Sequence, residues 1–218
     1  MKIGAAIFLG PPGAGKGTQA RGIGLRLGVP AISTGDMMRA LAAAGNPEGD
    51  RARTIMGKGD LIPDEWMNAL VQERLKQPDC GDGFVLDGYP RTRGQAEALD
   101  AMLAGSSAGI KVFDFRIQCE DVIRRMTGRR VCSSCGAIYN IYGKPPRQAG
   151  HCDRDGAPLA TRDDDREEVI RERLASYERL TRPVIDWFRQ TGREIYEVDA
   201  SRSMEEIAEQ VCRILSAP

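Results

Sequence analysis

A glycine-rich segment near the N-terminus could hold a polyphosphate. Residues 10–18 read Gly-Pro-Pro-Gly-Ala-Gly-Lys-Gly-Thr, and they join an apolar run of strand length to a segment of helical character. Glycines let backbone N–H groups point at phosphate oxygens, and the positive end of a helix adds to the attraction. Lys16 would then reach the outer phosphates. The strand–loop–helix context favours this interpretation over a plain Gly-Pro turn.

This loop departs from the general pattern at one position. Ser or Thr usually follows the lysine directly, where its hydroxyl binds Mg²⁺. Here Gly17 takes that place and Thr18 comes next. The sequence therefore favours a water-mediated metal shell that reaches a carboxylate such as Asp87 over direct coordination by a hydroxyl.

A second group of residues has the spacing of a metal site. Cys132 and Cys135 form a Cys-x-x-Cys pair, and after sixteen residues Cys152 and Asp155 repeat the spacing with a carboxylate in the last place. Two such pairs supply the two edges of a tetrahedron, and a carboxylate is an acceptable zinc ligand. His151 is the competing fourth donor, but it adjoins Cys152, which makes joint coordination awkward. A metal-free redox pair of Cys132 and Cys135 is the other alternative.

Alternating strand and helix patterns predict the elements that would position these residues. We expect strands at 3–9, 29–33, 83–86, 111–117 and 194–198. We expect helices at 15–27, 36–59 with a break near 45–47, 63–75, 94–103, 120–126, 166–190 and 204–215. Residues 129–165 have little periodicity. The predicted fold class is α/β with a parallel sheet.

Composition excludes several classes of protein. The 218 residues contain 31 Lys plus Arg and 31 Asp plus Glu, so there is no global basic field for nucleic acid. No apolar run is long enough to cross a membrane, and the N-terminus does not read as a signal peptide, so we expect a cytoplasmic protein. Among the other cysteines, Cys119 and Cys212 lie in apolar surroundings and are expected to be structural, buried thiols, whereas Cys80 lies in a polar loop and is expected to be exposed.

The loop and several further segments resemble the adenylate kinases. These are residues 10–19, Ser-Thr-Gly-Asp-Met-Met-Arg at 33–39, Phe-Val-Leu-Asp-Gly-Tyr-Pro-Arg-Thr at 84–92, Gly-Arg-Arg at 128–130, and 162–165 leading to Arg173. The resemblance runs from residue 3 to about 215. It implies a P-loop NTPase-type core (1–32, 63–127 and 166–218) with helices flanking its parallel sheet. It also implies an AMP-binding helical insertion (33–62) and a zinc-ribbon-like lid (128–165).

The resemblance also implies roles for individual residues. For ATP binding it implies Gly13, Ala14, Gly15, Lys16, Gly17, Thr18, Arg129, Ile138, Tyr139 and Arg202. For AMP binding it implies Thr34, Arg39, Asp60, Leu61, Ile62, Gly88, Tyr89, Pro90, Arg91, Gln95, Arg162 and Arg173. The catalytic set is Lys16, Asp87, Arg91, Arg129, Arg162 and Arg173. Gln95 would read the adenine edge, since an amide can pair with that base in two places. The role implied for Arg202 depends on the preceding turn, and Ala200 and Ser201 in that turn depart from the family pattern.

An arginine-rich site suits the implied reaction. Transfer between two nucleotides gathers about seven negative charges, so catalysis is mostly positioning and charge neutralisation. Guanidinium groups match phosphate oxygens in two places and stay protonated. Arg125, beside the Gly-Arg-Arg motif, belongs to the same group. Asp164 and Asp165 are expected to serve as a lid hinge and as partners for nearby arginines.

The implied function is reversible, Mg²⁺-dependent phosphoryl transfer from ATP to AMP, giving two ADP, in adenine nucleotide homeostasis. The implied cofactors are Mg²⁺ and a structural Zn²⁺ held by Cys132, Cys135, Cys152 and Asp155, as in the lid of one bacterial branch of the family. We expect a monomer with no nucleic-acid or membrane partner. A UMP or CMP kinase is the nearest alternative, but such relatives usually carry a short lid. A nucleic-acid-binding zinc ribbon is a second alternative, against which the acidic residues Asp153, Asp155 and 163–165 count.

Overall fold

A five-stranded parallel sheet forms the centre of the protein. The computed structural model describes residues 3–104 and 109–217; the predicted core segments also include 1–2, 105–108 and 218, which lie outside this range. The strands are β1 (Gly4–Leu9), β2 (Ala31–Ser33), β3 (Gly83–Asp87), β4 (Ile110–Arg116) and β8 (Ile195–Asp199). Their order is β2-β3-β1-β4-β8, and all neighbours are parallel. The predicted α/β class is confirmed.

Both faces of the sheet are covered by helices, which explains why its strands are continuously apolar. Every residue of β1 is buried, and its side chains alternate between two apolar clusters. Ile7 and Leu9 belong to one cluster, whereas Ala6 and Phe8 belong to the other. The central strand is therefore enclosed on both faces, and its carboxyl end is held rigidly at the start of the glycine-rich loop.

Nine α-helices lie in the described residues, and most start and end close to the predicted positions. They are α1 (Lys16–Leu27), α2 (Thr34–Ala43), α3 (Pro47–Gly57), α4 (Asp64–Leu75), α5 (Arg93–Leu103), α6 (Cys119–Thr127), α7 (Glu167–Ser176), α8 (Arg182–Gln190) and α9 (Met204–Ser216). The predicted break near 45–47 separates α2 from α3, where the Asn46 side chain accepts a hydrogen bond from Glu48 N–H. Ser203 and Glu206 form a capping box at the start of α9.

The helix predicted over 166–190 is wrong as a single regular helix. A π-helical segment, Tyr177–Thr181, separates α7 from α8. Arg182 N–H donates to the carbonyl of Tyr177, five residues back. Pro183 gives the physical reason, because it has no N–H for the regular ladder and its ring crowds the carbonyl of Arg179. A widened turn just before the proline relieves that conflict.

Residues 129–160 contribute a second, smaller sheet. Strands β5 (Arg129–Cys132), β6 (Ile138–Asn140) and β7 (Leu159–Ala160) pair antiparallel in the order β6-β5-β7. Its small buried cluster contains Cys132, Tyr139 and Cys152. So little buried apolar surface gives a segment of this length a weak core, so an additional cross-link would add to its stability.

The cysteines outside this sheet correct the expectations from sequence. Cys80 is buried and packs in the main core cluster, because a short helical turn at Pro78–Cys80 folds it beneath α4. Cys119 is exposed at the first position of α6, and Cys212 is half-buried on α9. None of the described helices is both long and apolar enough for a membrane span.

Candidate active site

A large cleft opens at the carboxyl ends of β1 and β3. It has a volume of about 620 Å³. Its lining includes the glycine-rich loop with the end of β3, the α2–α3 region, and the small sheet with the segment that follows it. Residues of α6 and of 200–207 also line it. Ligands of open parallel sheets bind at this end of the strands, so the fold itself predicts a binding site here.

The glycine-rich loop wraps around the side chain of Lys16. Gly13 and Gly15 have φ of +77° and +88°, a conformation that favours glycine. Lys16 Nζ donates to the carbonyls of Gly10 and Pro11, each at 2.7 Å. Burial lowers the pKa of Lys16 to about 8; Asp87 opposes the shift, and nearby arginines reinforce it. A bound anion would therefore stabilise the charged form of this ammonium.

Gly17 explains why this loop lacks the usual Ser or Thr after the lysine. A Cβ at this position would lie 2.7 Å from Asp87 Oδ2. Such an approach is too close for two unbonded heavy atoms, so a larger residue would push the carboxylate away. The absence of a side chain at residue 17 therefore allows Asp87, at the end of β3, to lie directly against the first turn of α1.

Nine arginines of the described residues line the cleft, and five of them belong to the predicted catalytic or acceptor-binding set. Acidic side chains pair with four of these five. Arg39 contacts Asp36 at 2.5 Å, and Arg173 contacts Asp164 at 2.5 Å. Arg129 pairs with Asp165, and Arg162 lies 3.7 Å from Asp36. Arg91 is the fifth. The prediction that Asp164 and Asp165 pair with nearby arginines is confirmed.

Two of these guanidinium groups, those of Arg162 and Arg173, carry their positive charge largely shielded from solvent. Burial first, then repulsion from Arg129, lowers the pKa of Arg162 to about 10, and burial likewise lowers the pKa of Arg173 to about 10. Arg162 Nε is buried without a hydrogen-bond partner among the described residues. Buried donors without partners are costly, so this guanidinium is prepared for an incoming acceptor such as a phosphate oxygen.

A small pocket of about 30 Å³ continues the cleft between α2, α4 and α5. Of the residues predicted for the acceptor nucleotide, it is lined by Thr34, Asp60, Leu61, Ile62, Gly88, Arg91 and Gln95. Thr34 Oγ1 donates to the carbonyl of Gly88 at 2.9 Å. Tyr89 differs from these, because its side chain is fully buried and its hydroxyl donates to Asn68 Oδ1 at 2.7 Å. Tyr89 is not among the residues that line the pocket.

At the other end of the cleft lie the residues predicted for the donor nucleotide. Lining it there are Gly13, Ala14, Gly15, Lys16, Gly17, Thr18, Arg129, Ile138, Tyr139 and Arg202, together with Arg125. The cleft is also lined by Arg39, Asp87, Pro90, Arg162 and Arg173. Sequence reasoning missed a number of lining residues, among them Asp36, Tyr142, Tyr177 and Thr181. Of these four, Asp36 alone carried a signal, since it lies within the 33–39 motif.

The four predicted metal ligands converge beside the small sheet. The ligand atoms of Cys132, Cys135, Cys152 and Asp155 all lie within 4.8 Å of one another. Backbone N–H groups of residues 134 and 135 donate to Cys132 Sγ at 3.4 Å, the local geometry that suits a thiolate. His151 is exposed and lies outside this cluster, with Nδ1 3.1 Å from the carbonyl of Ala149. Three sulfurs and one carboxylate oxygen fit a closed tetrahedral zinc site.

The parallel sheet, the loop that encloses Lys16 and the arginine-lined cleft define an α/β protein of the P-loop nucleotide-binding class. The family model described as adenylate kinase matches residues 8–193. The chain is 47% identical to an adenylate kinase of Archaeoglobus fulgidus over 96% of each chain, and 46% identical to one of Thermodesulfovibrio yellowstonii over 96% of this chain and 97% of the relative. It is 44% identical to one of Clostridium perfringens over 100% of this chain and 99% of the relative. The chain belongs to the adenylate kinase family and is a nucleoside monophosphate kinase.

Proposed function

We propose that this enzyme transfers the γ-phosphoryl group of ATP to AMP, reversibly and with Mg²⁺, and produces two ADP. One observation carries the proposal: the cleft joins the lysine-containing loop to the small pocket at Thr34 and Gln95, and it is lined by the half-buried arginines Arg39, Arg91, Arg129, Arg162 and Arg173. An anionic donor and an anionic acceptor can therefore meet in a region of strong positive charge.

The arrangement supports a division of work among the charged residues. An oxygen of the AMP phosphate attacks the γ-phosphorus of ATP, and the bond from that phosphorus to the β,γ-bridging oxygen breaks, which releases ADP. Lys16 and Arg129 would neutralise the donor phosphates, and Arg39 and Arg91 the acceptor phosphate. Arg162 and Arg173 would contact the group in transit, where stabilisation accelerates the reaction most.

Asp87 is the residue best suited to support the magnesium ion that accompanies ATP. Its carboxylate lies against residue 17 at the start of α1, next to the loop that would hold the phosphates. Bound Mg²⁺ supplies charge neutralisation for the phosphate oxygens and usually keeps several of its waters. A carboxylate at this distance from the loop could hold those waters in place of the missing hydroxyl at residue 17.

Gln95 supports a preference for adenine in the acceptor. Its Oε1 accepts from Arg91 N–H at 2.8 Å and its Nε2 donates to Asp64 Oδ1 at 2.8 Å, so the amide is held in one orientation. One N–H and one lone pair of the amide remain for a base, which is what bidentate pairing with adenine requires.

We extend the proposal to the organisation of the chain. Residues 33–62 would form the AMP-binding insertion and 128–165 a lid whose Zn²⁺, held by Cys132, Cys135, Cys152 and Asp155, is structural. The described residues include four exposed large hydrophobic ones, namely Leu25, Ile141, Tyr142 and Met204, and the last two line the cleft. So few exposed apolar side chains support a monomer. Free thiols fit a reducing cytoplasm, and the balanced charge gives no support for a nucleic-acid partner.

A coupled assay of ADP formation tests the acceptor directly. AMP, GMP, UMP and CMP are offered side by side, and kcat/KM for AMP should exceed that for GMP by well over tenfold. Gln95→Leu should remove most of this preference, whereas Gln210→Leu, on α9 outside the cleft, should preserve it. Equal values for AMP and UMP would instead favour a kinase for another monophosphate.

A further inference from the structure

The π segment brings Thr181 into contact with a loop ninety residues away in sequence. Thr181 is buried, lines the cleft, and donates its hydroxyl to the carbonyl of Arg91 at 2.9 Å. A π turn adds one residue to a turn of helix, so it shifts the face presented by later residues by about 100°. Ser176, Tyr177 and Thr181 all line the cleft in this arrangement. The π-helical segment therefore contributes residues to the cleft, in addition to relieving the conflict that Pro183 creates.

Thr181 and Gln95 together hydrogen-bond both peptide groups of Arg91. On the other side, Arg91 N–H donates to Gln95 Oε1 at 2.8 Å, and Asp64 holds the Gln95 amide. The arginine side chain is tied as well, because its Nε donates to the carbonyl of Gly88 at 2.8 Å. With its N–H, carbonyl and Nε all bonded, Arg91 can direct its terminal nitrogens in only a narrow range of directions.

We propose that Thr181 is a positioning residue: its hydroxyl fixes the Arg91 backbone so that the guanidinium is aimed at the phosphate of the acceptor nucleotide. This inference rests on the proposed function, since it takes the small pocket and Arg91 to bind the acceptor. Thr181 is the one donor to the half-buried Arg91 carbonyl among the described residues, so its loss should let this carbonyl rearrange to find another donor. A shift of about 1 Å in a positioning group can cost a factor of about 100 in rate. Binding of the donor nucleotide, at the other end of the cleft, should not depend on this contact.

Thr181→Val tests the contact, because it removes the hydroxyl and keeps the shape. Calorimetry with AMP alone and with ATP alone measures binding without turnover. We expect AMP binding to weaken about tenfold while ATP binding stays within twofold, and kcat/KM for AMP to fall by about 10- to 100-fold. Thr191→Val is the matched control, since its hydroxyl donates to the Phe188 carbonyl at 3.0 Å, at the end of α8. Thr181→Ser keeps the hydroxyl and should restore AMP binding.

Other outcomes overturn the inference. If Thr181→Val binds AMP as the parent does, or weakens AMP and ATP equally, Thr181 does not position Arg91. If the valine variant does not fold, the pair Thr181→Ser and Thr181→Ala asks the same question, because both lose the methyl group and only serine keeps the hydroxyl. A parent protein that bound no AMP would instead refute the proposed function, so the two failures are distinguishable.

Discussion

At the scale of single residues, Lys16 is the group on which the chemistry depends most. Its ammonium is buried inside the loop, where it donates to two backbone carbonyls. Lys16→Met should leave a folded protein whose kcat is lower by several orders of magnitude, because the charge acts on a group that gains charge in transit. Steady-state kinetics measure this, with the exposed Lys76→Met as control. Activity within tenfold of the parent would contradict the role.

The lowered pKa of Lys16 predicts a pH dependence. The ammonium is charged below about pH 8 in the free enzyme and loses its proton above it, so kcat/KM for ATP should fall as pH rises through about 8. Bound phosphates favour the charged form, so kcat should fall only at a higher pH. Pre-steady-state or steady-state profiles from pH 6.5 to about 10 separate the two. Lys16→Arg keeps its charge, and its residual kcat/KM should be flat across this range.

Single residues were predicted unevenly, and the reason is physical. Lys16, the arginines and the cysteines belong to short motifs in which local spacing already dictates the chemistry. Thr181 and Asp64 act through hydrogen bonds to distant parts of the chain, which no local pattern encodes. Whether Gln95 reads adenine, and whether Arg202 contacts ATP, remain predictions. Cys80 was misjudged because polar neighbours in sequence say little about what packs over a thiol after folding.

At the scale of elements, two glycines of α1 should respond in opposite ways to the same substitution. Gly17→Ala places a Cβ 2.7 Å from Asp87 Oδ2, so the carboxylate must move, and activity should fall at least tenfold. Gly22 is exposed on the same helix with open space around it, so Gly22→Ala should keep activity and stabilise the fold by about 0.5–1 kcal/mol. Kinetics and thermal melts check both. A fully active Gly17→Ala variant would show that the position of Asp87 is unimportant.

The proposed Zn²⁺ should stabilise the small sheet. Its buried cluster is small, and a closed four-ligand site leaves no open position for catalysis. Cys132→Ser or a strong chelator should lower Tm, while some activity survives at low temperature because Lys16, Arg39 and Arg91 lie outside this sheet.

Metal content per chain decides the fourth ligand. Asp155→Ala should reduce zinc retention, whereas the neighbouring substitution His151→Ala should leave it nearly unchanged, because only Asp155 lies in the cluster. The ligand assignment is wrong if His151→Ala empties the site and Asp155→Ala leaves it full.

Elements with a regular period were predicted well. The strands and most helices lie within a few residues of expectation because burial of one face imposes the period that the sequence carries. The π segment was missed, since a proline within a helix can produce a kink, a break or a widened turn, and local sequence does not choose among them. The strands of residues 129–160 were also missed, since two- to four-residue strands around a metal site carry almost no periodicity.

At the scale of the whole molecule, the cleft is built from several separate parts of the chain, and each nucleotide should make most of its contacts with two of them. The acceptor would join the glycine-rich loop region to α2 and α3, and the donor would join it to β5 and β6. Hydrogen exchange should therefore slow in residues 34–62 with AMP and in 129–160 with a non-hydrolysable ATP analogue. Identical protection patterns for the two ligands would contradict this arrangement.

The strand order has a consequence for how the chain folds during synthesis. β1 is made first but lies in the middle of the sheet, so it has no neighbour until β3 and β4 have left the ribosome. The outer edge of β4 then stays unpaired until β8, near the C-terminus, emerges several seconds later at about 5–20 residues per second. An open strand edge invites pairing with other chains. A nascent chain stalled between β4 and β8 should therefore be a preferred client of chaperones, whereas the released protein should not.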